Sequence, residues 1–299
     1  MNPLRRSCLI TLATLALATG LSAQDAKPAA APKPPAPKVE FPAASPASTL
    51  KQRVGLTDVE IVYSRPGVKG RTVFGGLEAY GNVWRTGANS ATRITFSTPV
   101  KFGGVPVPAG TYGLFSIPGA AEWTVILNKD SGQWGAYKYD EKQDLVRVKA
   151  KPVALAESVE TFTIDLNNIR DESATLTLSW QKTCVPVQLE VDVVTPVVAQ
   201  IDAAMASDGE KKPYAQAAMF YLDHNLDLKK ALGWMDAAIA AQPDAFYYVY
   251  HKARILAKMG DKAAAIATAQ KSIELAGKAP GTAKDEYTRL NEALIASLK

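Results

Sequence analysis

Residues 162–193, FTIDLNNIRDESATLTLSWQKTCVPVQLEVDV, decide the fold of this 299-residue chain. Apolar and polar residues alternate in this stretch, and a period of two is typical of a β-strand with one buried and one exposed face. The residues predicted to be buried are Phe162, Ile164, Leu166, Leu176, Leu178, Trp180, Val187, Leu189, Val191 and Val193. Because each such strand needs a second layer over its apolar face, the stretch predicts two sheets packed against each other.

The same alternation extends upstream to about residue 48 and predicts further short strands, for example at residues 59–63 and 94–96. Residues 123–127, WTVIL, are apolar on both faces, which favours a strand in the middle of a sheet. Turns that contain Gly and Pro separate the strands, and no helical pattern lies between them, so we expect antiparallel pairing. We predict an antiparallel β-sandwich of about eight to ten strands over residues 48–194, of jelly-roll or immunoglobulin-like type.

From residue 195 to residue 299 the apolar period becomes helical, which predicts an all-α domain after the sandwich. The pattern of residues 230–239 recurs 34 residues later, at 264–273, and this spacing resembles the tetratricopeptide repeat. The second copy is expected to bury Ile266, Ala269, Ile273 and Ala276. A stack of such repeats implies a groove for a partner protein. A helical cap that only buries its own apolar stripe is an equally open alternative.

The first 23 residues have the three parts of a secretory signal peptide: Arg5 and Arg6, an apolar run, and small residues ending at Ala23. The apolar run is too short to span a membrane. Residues 24–47 are rich in Pro and Ala and predict a disordered linker. We therefore expect an exported, soluble protein, periplasmic or extracellular, with no membrane span.

Composition excludes several classes of site. Two Cys and two His rule out a disulfide framework and a multi-cysteine zinc site. No His lies between Gln24 and Asp223, so the β domain has neither a Ser-His-Asp triad nor a histidine metal site. The chain has no P-loop, dinucleotide fingerprint or HExxH motif, and we predict no cofactor and no metal. Removal of Arg5 and Arg6 with the signal peptide lowers the formal charge from +5 to +3, too small an excess to indicate nucleic acid.

Candidate binding residues concentrate in the Gly-rich segment 63–92, where Arg65, Lys69, Arg71 and Arg85 face a single acid, Glu78. Arginines on such loops can donate forked hydrogen bonds to a carboxylate or phosphate, and aromatic rings can stack on a sugar. The candidate ligand-binding residues are Tyr63, Arg65, Arg71, Trp84, Arg85, Asn89, Thr92, Asn128, Trp134 and Tyr137. The alternative is that these arginines satisfy the carbonyls of their own loops and that the tryptophans belong to the core.

Four motifs carry a family resemblance: GNVWRTGANSAT at 81–92, VPAGTYGLFSIP at 107–118, WTVILN at 123–128 and WGAY at 134–137. They resemble the uncharacterised bacterial family catalogued as domain of unknown function 2911, over about residues 45–194. The resemblance implies an exported protein, and a helical repeat tail is similar to what some members carry. It implies no reaction.

Three functional hypotheses follow from these observations. The first is an exported, non-catalytic binding protein, with a loop site for a small anionic or glycan ligand and a helical repeat for protein contacts. The second is an envelope hydrolase that uses Asp or Glu for acid–base chemistry. The third is a purely structural envelope protein. The absence of His from the β domain favours binding over catalysis and leaves the enzyme question open.

Overall fold

A computed structural model describes residues 39–209, 211–278 and 281–299. The predicted signal peptide and residues 24–38 of the predicted linker lie outside the described residues. Residues Ala43–Lys299 form one compact unit, with strands in its N-terminal part and helices in its C-terminal part.

The N-terminal part is built from two antiparallel sheets. The strands within the described residues are β1 Ala47–Val54, β2 Thr57–Ser64, β3 Thr92–Phe96, β4 Val100–Phe102, β5 Val105–Val107, β6 Gly110–Ile117, β7 Trp123–Asn128, β8 Asp144–Ala150, β9 Val153–Arg170 and β10 Ser173–Val191. One sheet has the order β1-β2-β3-β6-β7-β8 and the other the order β5-β4-β10-β9. The prediction of antiparallel sheets followed by helices is confirmed.

The sandwich core contains the side chains that the alternation placed inward. All ten residues predicted to be buried in the stretch 162–193 are buried, and Trp84, Trp123 and Trp180 pack among them. Strand β7 is buried on both faces, as predicted. Its outward Ile126 forms a small second cluster with Phe115 and Ala91, because loops that follow residues 78 and 130 cover this part of the six-stranded sheet.

Helices occupy the rest of the chain: α1 Val194–Ala206, α2 Tyr214–Asp223, α3 Leu228–Ala241, α4 Phe246–Lys258, α5 Lys262–Ala276 and α6 Ala283–Leu298. Two of them begin at aspartate caps. Asp227 accepts hydrogen bonds from the Lys229 and Lys230 amides, and Asp261 accepts one from the Ala264 amide at 3.0 Å. In the described part of the chain, no helix combines the length and the hydropathy needed to cross a bilayer.

The buried face of α5 differs from the expected one. Ala265, Ala269, Ser272 and Ala276 are buried, whereas Ile266 and Ile273 are only half-buried. Small side chains of α5 face the neighbouring helices. One of them, Ser272, donates to the Phe246 carbonyl at 2.8 Å and accepts from Asn291 at 2.9 Å. These contacts bring α4 and α6 close to α5, and a bulky Ile would not fit between them.

Candidate functional site

The segment Trp84–Asn89, WRTGAN, precedes β3, and its first residue pairs with β6 of the six-stranded sheet. The Trp84 amide donates to the Ser116 carbonyl at 2.7 Å, and the Ser116 amide donates back at 2.9 Å. The buried Trp84 ring packs against both Phe162 and Trp180, and its indole N–H donates to the Gly87 carbonyl at 3.0 Å. Trp84 is therefore a core residue that anchors the loop.

Thr86 is held in an unfavourable backbone conformation. Its φ is 51°, in the left-handed region that β-branched residues rarely adopt, and its side chain is fully buried. Two hydrogen bonds hold it there: its hydroxyl pairs with the Ser116 hydroxyl at 2.9 Å, and its carbonyl accepts from the Thr92 hydroxyl at 2.6 Å. The hydroxyl of the buried Thr92 therefore helps to fix the backbone conformation of the WRTGAN segment.

Two of the predicted arginines are engaged with the protein itself. Arg65 donates to the Phe162 carbonyl at 3.0 Å and to the Thr163 hydroxyl at 2.6 Å. Arg71 donates to the Val68 carbonyl at 3.0 Å and to the Gly67 carbonyl at 2.6 Å. These contacts are those expected of arginines that hold loops in place.

Arg85 and Glu78 form a second group with Arg71. Burial raises the pKa of the Glu78 carboxyl from 4.5 to about 7, while the charges of Arg85 and Arg71 act in the opposite direction. Among the residues that the structure describes, the buried Nε atom of Arg85 has no hydrogen-bond partner. Sequence reasoning noted Glu78 only as the one acid of the segment.

Asn89 and Asn128 orient the loops around the sheet. Asn89 has a φ of 61° and donates to the Ser45 carbonyl and the Ser64 hydroxyl, each at 3.3 Å. Buried Asn128 accepts from the Asp130 amide at 2.9 Å and donates to the Asp144 carboxylate at 2.7 Å. Asn128 therefore sets the start of the loop that follows β7.

A cleft of about 350 Å³ lies where this loop approaches β2 and β3, and we call it the loop cleft. Its lining residues are Ala47, Val62, Tyr63, Ser64, Ser90, Ala91, Arg93, Ser131, Gly132 and Gln133. None of Arg65, Arg71 and Arg85 lines it. Tyr63 does, although its hydroxyl is already paired with the main chain of Ile164.

Arg93 gives the loop cleft its charge. Its side chain is exposed, no Asp or Glu lines the cleft, and Arg93 has no hydrogen-bond or ion-pair partner within the described residues. The nearby Asp130 carboxylate is occupied, because it accepts from the Gly132 amide at 3.0 Å and from the Gln133 side-chain amide at 3.3 Å. Arg93 is therefore the one charged side chain among the lining residues of the loop cleft.

Sequence reasoning missed Arg93. The alternation around the predicted strand at residues 94–96 indicates only an outward position for Arg93. A basic residue at an outward strand position was the available signal, but the residues that surround it in space come from distant loops.

An exposed tryptophan lies at the border of the loop cleft, and an exposed tyrosine follows it in the same loop. Trp134 forms an antiparallel β-bridge with Ser90, a lining residue, and is 65% exposed. Tyr137 is 84% exposed and lies over Gly135, where an added Cβ would be 2.6 Å from the Tyr137 ring. Of the ten predicted site residues, the structure thus brings Tyr63, Asn89 and Trp134 to the loop cleft or its border.

Comparison with known proteins identifies the β part of the chain. Residues 45–189 match the family model described as Protein of unknown function (DUF2911). This part of the chain is therefore similar to the DUF2911 family. No curated protein and no solved structure matches the chain. The DUF2911 match includes the WRTGAN segment and every lining residue of the loop cleft, and it ends before the first helix.

Outside the DUF2911 match, a helical cleft of about 300 Å³ lies between α2, α4 and α6. It is lined by Leu222, Asp223, Arg254, Ala257, Lys258 and Leu294. Arg254 donates to the Asp223 carboxylate at 3.0 Å and lies 3.2 Å from the Nδ1 of His251. Burial and the Arg254 charge lower the pKa of His251 to about 4. In the described residues, no three His, Cys, Asp or Glu side chains are grouped as metal ligands.

Proposed function

We propose that the protein is an exported binding protein whose loop cleft takes a small anionic or glycan ligand. One observation carries the proposal: the exposed guanidinium of Arg93 lines a cleft without acidic residues and lacks a partner in the described residues. A guanidinium presents several N–H donors in a fixed plane, and a carboxylate or phosphate can accept two of them at once. The serine hydroxyls of the cleft can add further hydrogen bonds.

Export is supported by the sequence pattern of residues 1–23, with its arginines, apolar run and small residues before position 24. The proposed location is the periplasm or the extracellular space. Expression of the full chain, followed by fractionation and N-terminal sequencing, tests this location. A product that starts at Gln24 supports it, and an unprocessed product in the cytoplasm contradicts it.

A thermal-shift screen of the purified protein tests the anion site. The panel contains sugar acids, neutral sugars, inorganic phosphate and simple carboxylates. A ligand at about 100 times its Kd stabilises a protein by about 2.7 kcal/mol, which raises Tm by about 5–10 °C in a domain of this size. We expect anionic compounds to raise Tm for the wild type but not for Arg93→Ala.

Arg170→Ala is the matched control, because Arg170 is also an exposed strand arginine but lies on the other sheet. It should keep the wild-type response. The absence of any anion-dependent shift, or the same shift in Arg93→Ala, would overturn the proposal.

The helical part contributes a surface for a protein partner in this proposal. Its support is the cleft lined by Arg254 and Lys258 together with the half-buried rings of Tyr247, Tyr250 and Tyr287. Cross-linking in envelope fractions should trap a specific partner with the wild type and with Lys271→Glu, an exposed change on α5. Lys258→Glu should lose that partner, and an unchanged cross-linking pattern in this variant would contradict the proposed contact surface.

Hydrolysis by an Asp or Glu acid is the second candidate function, and the pKa of Glu78 favours it. A carboxyl with a pKa of about 7 is partly protonated near neutral pH and can act as a general acid. The test is release of reducing ends from envelope polysaccharides, with a rate that falls above about pH 7. Loss of about 100-fold in Glu78→Gln would support catalysis. An equal rate in this variant would exclude Glu78 as the acid.

A further inference from the structure

We infer that the ligand of the loop cleft is an acidic sugar, with its carboxylate on Arg93 and its ring against Trp134. This inference rests on the proposed anion-binding function and narrows it to one chemical class. The argument uses the position of the two side chains, the hydroxyl groups of the lining and the size of the cleft.

The positions of Arg93 and Trp134 define two ends of a site. Arg93 lines the cleft on β3, and Trp134 is fixed beside it by its β-bridge to Ser90. The Gly135 amide also donates to the Asn89 carbonyl at 3.0 Å, which ties the aromatic loop to the WRTGAN segment. A ligand that contacts both ends needs an anionic group and a flat, partly apolar face in one small molecule.

Three serines, Ser64, Ser90 and Ser131, belong to the lining of the same cleft as Arg93. A hydroxyl both donates and accepts, whereas a carboxylate only accepts. Sugar hydroxyls use both functions. Ser64 already accepts from Asn89, so its own O–H is free to donate to a ligand oxygen.

The exposure of the aromatic side chains agrees with a sugar ring. Trp84, Trp123 and Trp180 are buried in the core, whereas Trp134 is 65% exposed at the border of a polar cleft. An indole presents a flat apolar surface that suits the C–H face of a pyranose. Tyr137 lies next to Gly135 in the same loop and is also exposed.

The volume of about 350 Å³ lies near the lower end of the range for small-molecule sites, so it holds about one or two rings of a short acidic oligosaccharide whose remaining ring extends outside. A neutral sugar of the same size would leave the Arg93 guanidinium without a counter-charge. A bare anion would leave Trp134 without a contact. An acidic sugar satisfies both groups.

The experiment uses calorimetric titration of the purified full protein with three probes: trigalacturonate, its fully methyl-esterified form and inorganic phosphate. The ester has the same rings without the charges. We expect trigalacturonate to bind at least tenfold more tightly than the ester, and Arg93→Ala to lose at least tenfold in affinity for it.

The Trp134→Ala variant distinguishes the acidic-sugar inference from the anion-binding proposal on which it rests. It should weaken trigalacturonate binding about fivefold and leave phosphate binding unchanged, and the ligand should alter tryptophan fluorescence in the wild type but not in Trp134→Ala. Tyr80→Ala, which removes another exposed aromatic ring, is the control and should bind like the wild type.

Each result has one meaning. If phosphate and trigalacturonate bind equally and Trp134→Ala has no effect, the anion site stands and the acidic-sugar inference is wrong. If trigalacturonate and its ester bind equally, the carboxylate has no role and the inference is wrong. If no probe binds, or Arg93→Ala binds all of them normally, both the inference and the anion site fail.

Discussion

Arg93 on β3 lies directly opposite Gly113 on β6. A Cβ at Gly113 would lie 2.6 Å from the main-chain oxygen of Asp130 and 2.8 Å from the Phe115 ring. The loop after β7 therefore crosses the sheet over Gly113 because this residue has no side chain. The wall of the loop cleft next to Arg93 depends on that close approach.

Gly113→Ala should displace this loop and destabilise the protein by about 1–3 kcal/mol, because the added methyl group collides with main-chain atoms. The measurement is urea unfolding, with the affinity for the best anion of the screen as a second readout. Gly233→Ala, in α3, is the contrasting control, since its added Cβ meets nothing within 4 Å. It should stabilise the protein by about 0.5–1 kcal/mol. If Gly113→Ala leaves the free energy of unfolding unchanged, the loop does not need this close approach.

Thr92→Val should cost about 1–2 kcal/mol of unfolding free energy. The substitution keeps the shape of the side chain but removes the 2.6 Å hydrogen bond to the buried Thr86 carbonyl, which then has lost its donor. Thr95→Val on the same strand is the matched control, because its bond to Thr111 is exposed and Val suits a strand. Equal stabilities of the two variants would contradict a special role for Thr92.

Much of the fold was predictable because the alternation in the strands reports burial directly. Phe162 and Leu178 are buried, and their polar neighbours point to the other face, since each sheet has one side against the core. The buried face of α5 was predicted less well. Hydrophobicity predicted that Ile273 is buried, whereas the structure buries Ser272 where the helices approach closely. The burial of Ser272 depends on its contacts with residues of α4 and α6, which the sequence of α5 does not show.

The candidate site was only partly predictable. Residue type identified Arg65 and Arg71 as possible ligands, but both are bonded to the protein itself. Arg65 pairs with Phe162 on the distant strand β9, which the local sequence does not show, whereas Arg71 pairs with carbonyls of its own turn. Arg93 became a candidate only once the loop at 131–133 was placed beside it. Trp134 was predicted as a stacking residue, and its exposure leaves that prediction in place.

Glu78→Gln should change how stability depends on pH. Because the folded-state pKa of Glu78 is raised from 4.5 to about 7, the folded protein binds a proton more tightly than the unfolded chain. The resulting contribution to stability is fully present below about pH 4.5 and is lost as pH rises through about 7. Gln cannot ionise, so the difference in unfolding free energy between variant and wild type should move in favour of the variant over this range. A difference that does not vary with pH would contradict the raised pKa.

His251→Gln should have the opposite effect on the pH profile. The folded-state pKa of His251 is lowered from 6.5 to about 4 by burial and by Arg254, with Asp223 acting in the other direction. Its contribution to stability is therefore present above about pH 6.5 and is lost as pH falls through about 4. Gln keeps an acceptor for Arg254 but does not titrate, so the variant should lose less stability than the wild type on acidification.

The two groups oppose each other between about pH 4.5 and 6.5, and urea unfolding at several pH values can separate them. Relative to the wild type, stability should rise more steeply with pH in Glu78→Gln, where the His251 contribution remains. In His251→Gln it should fall more steeply with pH, because the Glu78 contribution then has no opposing group. The double variant should return to the wild-type slope if the two contributions are equal in size and independent, since Glu78 and His251 lie in different parts of the fold. Parallel profiles for all four proteins would show that neither group titrates as described.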